Sequence, residues 1–240
     1  MATSYGPDPI ITDGLTFYVD PGNQRCWSPT TSTSGSCDSL ITQLPATGSL
    51  WNDVSGSLGG DGSWVFDGTD DRIDFPPMES TLTSVSQFSV SFWFKQDQVE
   101  ENRWCGKRNA GEWISCQNNA GSLILFVIMD GGTSYGGFDP SGIVGLNTWY
   151  QYVGVFNGTL SGNINRCKIY INGEDQVLTY TGTIPATTSD FSGIEPPFTV
   201  GTDGYAYMDG NISLVMLYNR AITPTEITQN YNSQKARFGL

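Results

Sequence analysis

The run FSVSFWFK, residues 88–95, sets Phe88, Val90, Phe92 and Phe94 on one side of the chain and Ser89, Ser91, Trp93 and Lys95 on the other. A period of two belongs to an extended strand; a helix would scatter those four apolar residues around its axis. A strand with so apolar a face needs a second layer to bury it. The chain supplies many partners: LTFYVD (15–20), SWVFDG (63–68), RIDF (72–75), LILFVIM (123–129), WYQYVGVF (149–156), CKIYING (167–173), FTVGT (198–202) and NISLVMLY (211–218). Turn signals such as Pro-Gly-Asn, Thr-Asp-Asp and Asn-Gly separate them. LILFVIM is apolar throughout, as a strand covered on both faces would be. The helix signal is AITPTEITQNYN, with Thr223 as cap, Pro224 in the first turn and Glu226 at the capping-box position. These patterns predict an all-β chain, a two-sheet antiparallel jelly-roll sandwich with one short C-terminal helix. No linker interrupts the series, so residues 1–240 are expected to form one domain, with an arm over 1–13 and a closing helix and tail over 221–240.

Charge narrows the chemistry. The net charge is −13 and the chain has no histidine. Phosphate backbones and anionic bilayers are repelled, so neither nucleic acid nor a membrane is an expected partner. No apolar run is long enough to cross a bilayer. Catalytic triads and zinc sites built on histidine are excluded. What remains is carboxylates, hydroxyls, amides and aromatic faces.

The stretch FDGTDDRIDF, residues 66–75, concentrates four carboxylates. Asp and Gly have a local reason to stand between two strands: Asp caps backbone amides, and Gly accepts positive φ. A calcium loop of the EF-hand kind is not met, because Met78 stands at the twelfth position counted from Asp67, where glutamate is required. The turn reading is preferred, and Asp67 is kept as a candidate for a structural calcium. No other cofactor is expected.

Five cysteines do not pair completely. In RWCGKRNAGEWISC a two-residue loop at Ala110 and Gly111 sets Cys105 opposite Cys116. That pair is read either as a disulfide or as two reduced thiols in the core. Cys26 and Cys37 flank a Ser/Thr/Gly loop that they could staple.

Several segments together resemble the concanavalin A-like jelly roll in its laminin G-like form. They are GLTFYVDPGN, WNDVSGS with WVFDGTDDRIDF, FSVSFWFK, NTWYQYVGVFNGT with KIYINGE, and VGTDGYAYMDGNISLVMLYNRAITPTEITQNYN. The order and spacing of these pieces carry the resemblance, which spans nearly the whole chain. The family often places an acidic pair in its last strand, which some members use for calcium; those positions here hold Ser213 and Leu214, with Asp209 nearby as the second calcium candidate. The tail NRAITPTEITQNYNSQKARFGL resembles the ends of such modules in virion structural proteins of tailed bacteriophages, cyanophages among them. The resemblance implies a capsid decoration, fibre or tail appendage on the virion surface. Its partners would be virion subunits. The start MATSYGPDP lacks the basic and apolar regions of a secretory signal, which suits synthesis in a host cytoplasm and release by lysis.

Three functions share this fold. A retaining glycosidase needs two carboxyls about 5–5.5 Å apart. The glucanase branch supplies them as Glu-x-Asp-x-x-Glu on one strand face, and no glutamate of this chain lies in that pattern. Asp97 with Glu112 is an unselected alternative, so no catalytic residue is assigned. A lectin needs aromatics to stack on sugar rings. DGGTSYGGFDPSG (130–142) offers Tyr135 and Phe138, GTDGYAYMDG (201–210) offers Tyr205 and Tyr207, and Trp104 and Trp113 flank the cysteine hairpin. These six are the candidate residues for carbohydrate or partner binding. A structural role would use the basic, then apolar end KARFGL as a plug for a neighbouring subunit. The expectation is a non-enzymatic virion surface protein that binds host glycan or a virion subunit through loops at the sandwich rim. The alternatives are a bacterial carbohydrate-binding module or a glycoside hydrolase of the same fold.

Overall fold

A computed structural model describes residues 9–23, 25–29, 35–37, 39–41, 48–51, 55–56, 62–76, 78–98, 101–109, 111–119, 123–132, 134–191 and 197–240. Two antiparallel sheets face each other, as the alternating runs predict. In one, the strands lie in the order Glu174–Asp175, Cys167–Ile171, Tyr150–Asn157, Gln87–Gln96, Asp209–Tyr218, Trp64–Asp67 and Ser55–Gly56, with Leu15–Val19 also on Asp209–Tyr218. In the other the order is Thr179–Thr181, Tyr135–Phe138, Leu123–Asp130, Glu112–Asn119, Asn102–Asn109, Phe198–Val200, Arg72–Phe75, Gly48–Trp51, Gly35–Cys37 and Trp27–Pro29. Neighbours far apart in sequence, such as Gln87–Gln96 beside Asp209–Tyr218, give the jelly-roll winding.

The aromatic face of Gln87–Gln96 makes the core. Phe92 stacks on Tyr152 with centroids 4.9 Å apart, Phe94 lies 4.4 Å from Trp104, and Phe88 meets Phe126 edge-on at 5.7 Å. Each fully buried ring contributes about 1.5–3 kcal/mol from area alone. Trp104, expected to be accessible, is therefore a core residue with no exposed surface. The reason is a bulge: Cys116 faces Cys105 while the next residue, Gln117, faces Arg103. One extra residue on the Asn102–Asn109 strand turns both Trp104 and Cys105 inward and returns Arg103 to the outer face. Phe138 is likewise corrected: it is buried in the core, because Tyr135–Phe138 is a strand and not an open loop.

The cysteine hairpin has the expected register, with Asn109 opposite Glu112 and Cys105 opposite Cys116. No bridge joins them; both are buried free thiols. Burial pushes the Cys105 thiol well up, so it stays protonated and unreactive. Cys26 is buried, and a staple to Cys37 falls on side chains outside the described residues.

The outer face of the first sheet is covered by the chain's own end. The predicted helix runs Pro224–Gln234, opened by a complete capping box between Thr223 and Glu226. Its Ile227 joins Val153, Tyr170, Met216 and Tyr218 in a second apolar cluster. Asn230 accepts from the Ile11 amide and Gln229 donates to the Pro9 carbonyl, tying down the segment before the first strand. The segment read as a docking plug folds back instead. Phe238 stacks on Trp93 at 4.2 Å and lies 4.7 Å from Trp149, and Arg237 pairs with Asp20 at 2.8 Å. A second bulge shapes this contact: Ser213 faces Trp93 and Met216 faces Ser91, so both Ser213 and Leu214 turn outward. Leu214, at φ 49°, packs with Trp93, Trp149 and Phe238. Apolar packing thus occupies the place where the family resemblance directs attention to an acidic pair.

Two outcomes follow. Phe238→Ala removes a ring stacked on Trp93 and packed against Trp149, and is expected to cost about 3 kcal/mol in urea unfolding. An unchanged midpoint would restore the plug reading. Glu226 is held down at about 2 by its hydrogen bonds from Arg220, with further help from the Thr223 backbone. A depressed carboxylate contributes stability that is fully present above its ordinary 4.5 and is lost as pH falls through about 2. Thermal melts between pH 5 and pH 2, with E226Q as reference, should show the wild type losing its advantage over that window.

Candidate functional site

The second sheet has no helix over its outer face among the described residues, and alternation decides what stands there. From Glu112–Asn119 come Trp113, Gln117 and Asn119; from Leu123–Asp130 come Leu125, Val127 and Met129; from Tyr135–Phe138 comes Tyr135. Arg103 and Arg108 rise from the bulged strand, Glu101 lies just before it, and Tyr205 reaches in from the 201–210 loop. Together they line an open groove of about 370 Å³. That volume lies low in the range of small-molecule sites, about 300–1,000 Å³. LILFVIM is apolar throughout because its outward residues floor this groove.

Asp203 holds the groove together. Its carboxylate accepts from Trp113 Nε1 at 3.1 Å and from Ser115 Oγ at 2.8 Å, and faces Arg103 Nε at 3.4 Å. Its other oxygen accepts from the Tyr205 amide at 3.0 Å, closing an Asx turn that aims the Tyr205 ring back over the sheet. Arg103 also pairs with Glu101. The Arg103 side chain is 3% exposed, and burial pulls its pKa down, against the support of Asp203 and Glu101. Arg108 stands differently. Its guanidinium lies 4.2 Å from the Trp113 ring and 5.0 Å from the Tyr205 ring. A second hollow of about 250 Å³, lined by Asp74, Thr199, Asp203 and Gly204 among others, shares Arg108 as its wall.

Of the six residues proposed from sequence, Trp113, Tyr135 and Tyr205 meet in the groove. Trp104 and Phe138 do not, being core residues. Tyr207 is half-buried and bridges to Thr202, outside the groove lining. The groove therefore runs over a sheet face, and only Tyr205 comes from a rim loop. Arg103, Arg108, Gln117, Asn119 and Asp203 escaped the sequence reading. The alternation of Trp113, Ser115, Gln117 and Asn119 was a usable signal for part of this set.

Asp97 and Glu112 are not brought together. Asp97 donates its amide to the Asp209 carbonyl and follows Gln96, which accepts from Asn118; Glu112 is at the other end of the Glu112–Asn119 strand, opposite Asp130. The carboxylates of Asp67, Asp70 and Asp71 offer oxygens within 4.8 Å of one another. Asp71 accepts from the Asp67 amide at 2.9 Å and Asp67 from the Thr69 amide at 2.8 Å, as the turn reading predicts. With one oxygen from each, a calcium here would need bidentate carboxylates, backbone carbonyls or waters to reach its six to eight ligands. Asp209 is outside this set; its carboxyl is raised by burial and by the nearby Asp97 and Asp67.

No curated protein matches the sequence. Solved structures do match the fold. Domain 4 of AbnA, an extracellular GH43 arabinanase from Geobacillus stearothermophilus solved with arabinotriose, is 18% identical with a TM-score of 0.64, over 90% of this chain and 98% of that one. The receptor-binding domain of botulinum neurotoxin C/D mosaic serotype is 15% identical with a TM-score of 0.67, over 93% of this chain. The botulinum neurotoxin serotype D ligand-binding domain, solved with N-acetylneuraminic acid, is 15% identical with a TM-score of 0.62, over 92% of this chain. The chain spans about half the length of those toxin domains, 52% and 51%. The Laminin_G_3 model, that of the concanavalin A-like lectin/glucanases superfamily, matches residues 67–228, well over half of the sequence, and the chain belongs to that family.

Proposed function

We propose that this chain is a non-enzymatic, glycan-binding jelly roll displayed on a bacteriophage virion as a decoration, fibre or tail appendage. The groove carries the glycan part of this reading. Trp113, Tyr135 and Tyr205 supply apolar ring surface for sugar C–H faces, while Arg108, Gln117 and Asn119 supply hydrogen-bonding groups beside them. The groove's acids are structural: Asp203 already serves Trp113, Ser115, Arg103 and Tyr205, and Glu101 pairs with Arg103. Neither is free to hand a proton to a glycosidic oxygen. Sugar ligands in the arabinanase domain and in the serotype D toxin domain support the class by analogy of fold.

The virion placement rests on the tail sequence NRAITPTEITQNYN and its resemblance to phage modules. A bacterial carbohydrate-binding module is the second reading. It is favoured by the arabinanase domain, of which this chain covers 98%.

Binding is tested on a glycan array followed by calorimetry. Trp113→Ala and Tyr205→Ala should each weaken the best glycan at least about tenfold, or 1.4 kcal/mol. Tyr205 is 61% exposed, so its variant should keep the wild-type melting temperature. Array silence, or wild-type affinity in both variants, overturns the glycan reading. Placement is tested by mass spectrometry of gradient-purified particles with gold labelling of intact virions. Recovery of the protein with particles supports the proposal; recovery only from bacterial walls or medium favours the second reading.

A further inference from the structure

We infer that the groove takes a sugar bearing a carboxylate, and that Arg108 is the residue that reads it. This rests on the glycan reading above and narrows it to acidic sugars.

The two arginines of the groove differ in what already answers their charge. Arg103 lies between Glu101 and Asp203, so its charge is answered inside the protein. Arg108 has no acid within ion-pair distance among the described residues; its partners are the faces of Trp113 and Tyr205. In a chain of net charge −13 a half-buried guanidinium left without a carboxylate is unusual and calls for an anion from outside.

Geometry then selects the kind of anion. Contact of the Arg108 guanidinium with the Trp113 and Tyr205 rings uses none of its N–H donors, which lie at the edges of the group. The N–H donors lie along those edges, in a planar fork that matches a carboxylate with two parallel hydrogen bonds. Arg108 also forms the wall between two hollows, of about 370 and 250 Å³, so its edge is reachable from either side. A pyranose on the aromatic surface of the larger hollow can therefore place a ring carboxylate at the fork. Gln117 and Asn119 remain for its hydroxyls. At the groove floor, Arg103 Nη1 is buried and has no acceptor among the described residues. It is a second donor without an acceptor, and the Tyr205 ring lies 5.5 Å from the same guanidinium.

Two sources offer this chemistry: a uronate within a polysaccharide, and a terminal nonulosonic acid. The probes are trigalacturonic acid and 3′-sialyllactose, each against its methyl ester, which keeps the sugar and removes the charge. Calorimetry should find at least one acid bound tenfold or more tightly than its ester, and the preferred pair identifies the source. R108Q should reduce that acid to the affinity of its ester, while R108K should keep part of the preference. Equal affinities for acid and ester overturn the inference and leave glycan binding standing. So does an undiminished preference in R108Q. Failure of all four probes overturns the inference, while the glycan reading is decided separately by the array.

Discussion

Everything on the open sheet depends on the buried contact between Arg103 and Asp203. Breaking such a pair by removing one partner costs about 3–5 kcal/mol, because the survivor is left charged and dry. Asp203 sits in the loop before the last strand, and Arg103 in a strand one hundred residues earlier. With the bonds from Ser115 and Trp113, this contact pins the 201–210 loop to the sheet, and the Asx turn on the same carboxylate sets the position of Tyr205. The same carboxylate holds Trp113 by its indole N–H. The two aromatic walls are thus fixed through one acid, and the groove is preformed before any ligand arrives.

The two bulges divide labour between the sheets. In the helix-backed sheet, the extra residue at Ser213–Met216 turns Leu214 outward, where Trp93, Trp149 and Phe238 close over it. In the open sheet, the extra residue at Trp104 moves a large ring into the core and brings Arg103 out. One bulge builds a covered face and the other a charged, uncovered one. This asymmetry leaves the aromatic and charged side chains of the groove uncovered on the second sheet.

Legibility followed the same division. Strands with unbroken alternation, such as Gln87–Gln96, were plain in sequence because a period of two has one structural meaning. The Asn-Gly turn at 172–173 and the Thr223–Glu226 capping box were plain because those residue types act locally. Trp104 misled because a bulge changes which face a residue takes without changing composition. Phe138 misled because glycines around it suggest a loop, although Gly136 and Gly137 pair with Phe126 and Leu125 in the sheet. Arg103, Arg108 and Asp203 were not visible as a set. Their meaning lies in contacts between distant strands, and no local rule reports those.

The partners of its acids bear on what chemistry a groove on this fold can offer. A glycosidase needs one carboxyl able to carry a proton to the leaving oxygen and a second within reach of the anomeric carbon or its attacking water. In the groove the acids run the opposite way. Asp203 spends its oxygens on an indole, a hydroxyl, a guanidinium and a backbone amide, and Glu101 is drawn to Arg103. Their work is to hold the aromatic walls and to occupy one of the two arginines. The other guanidinium lies over Trp113 and Tyr205 with no acid at ion-pair distance among the described residues.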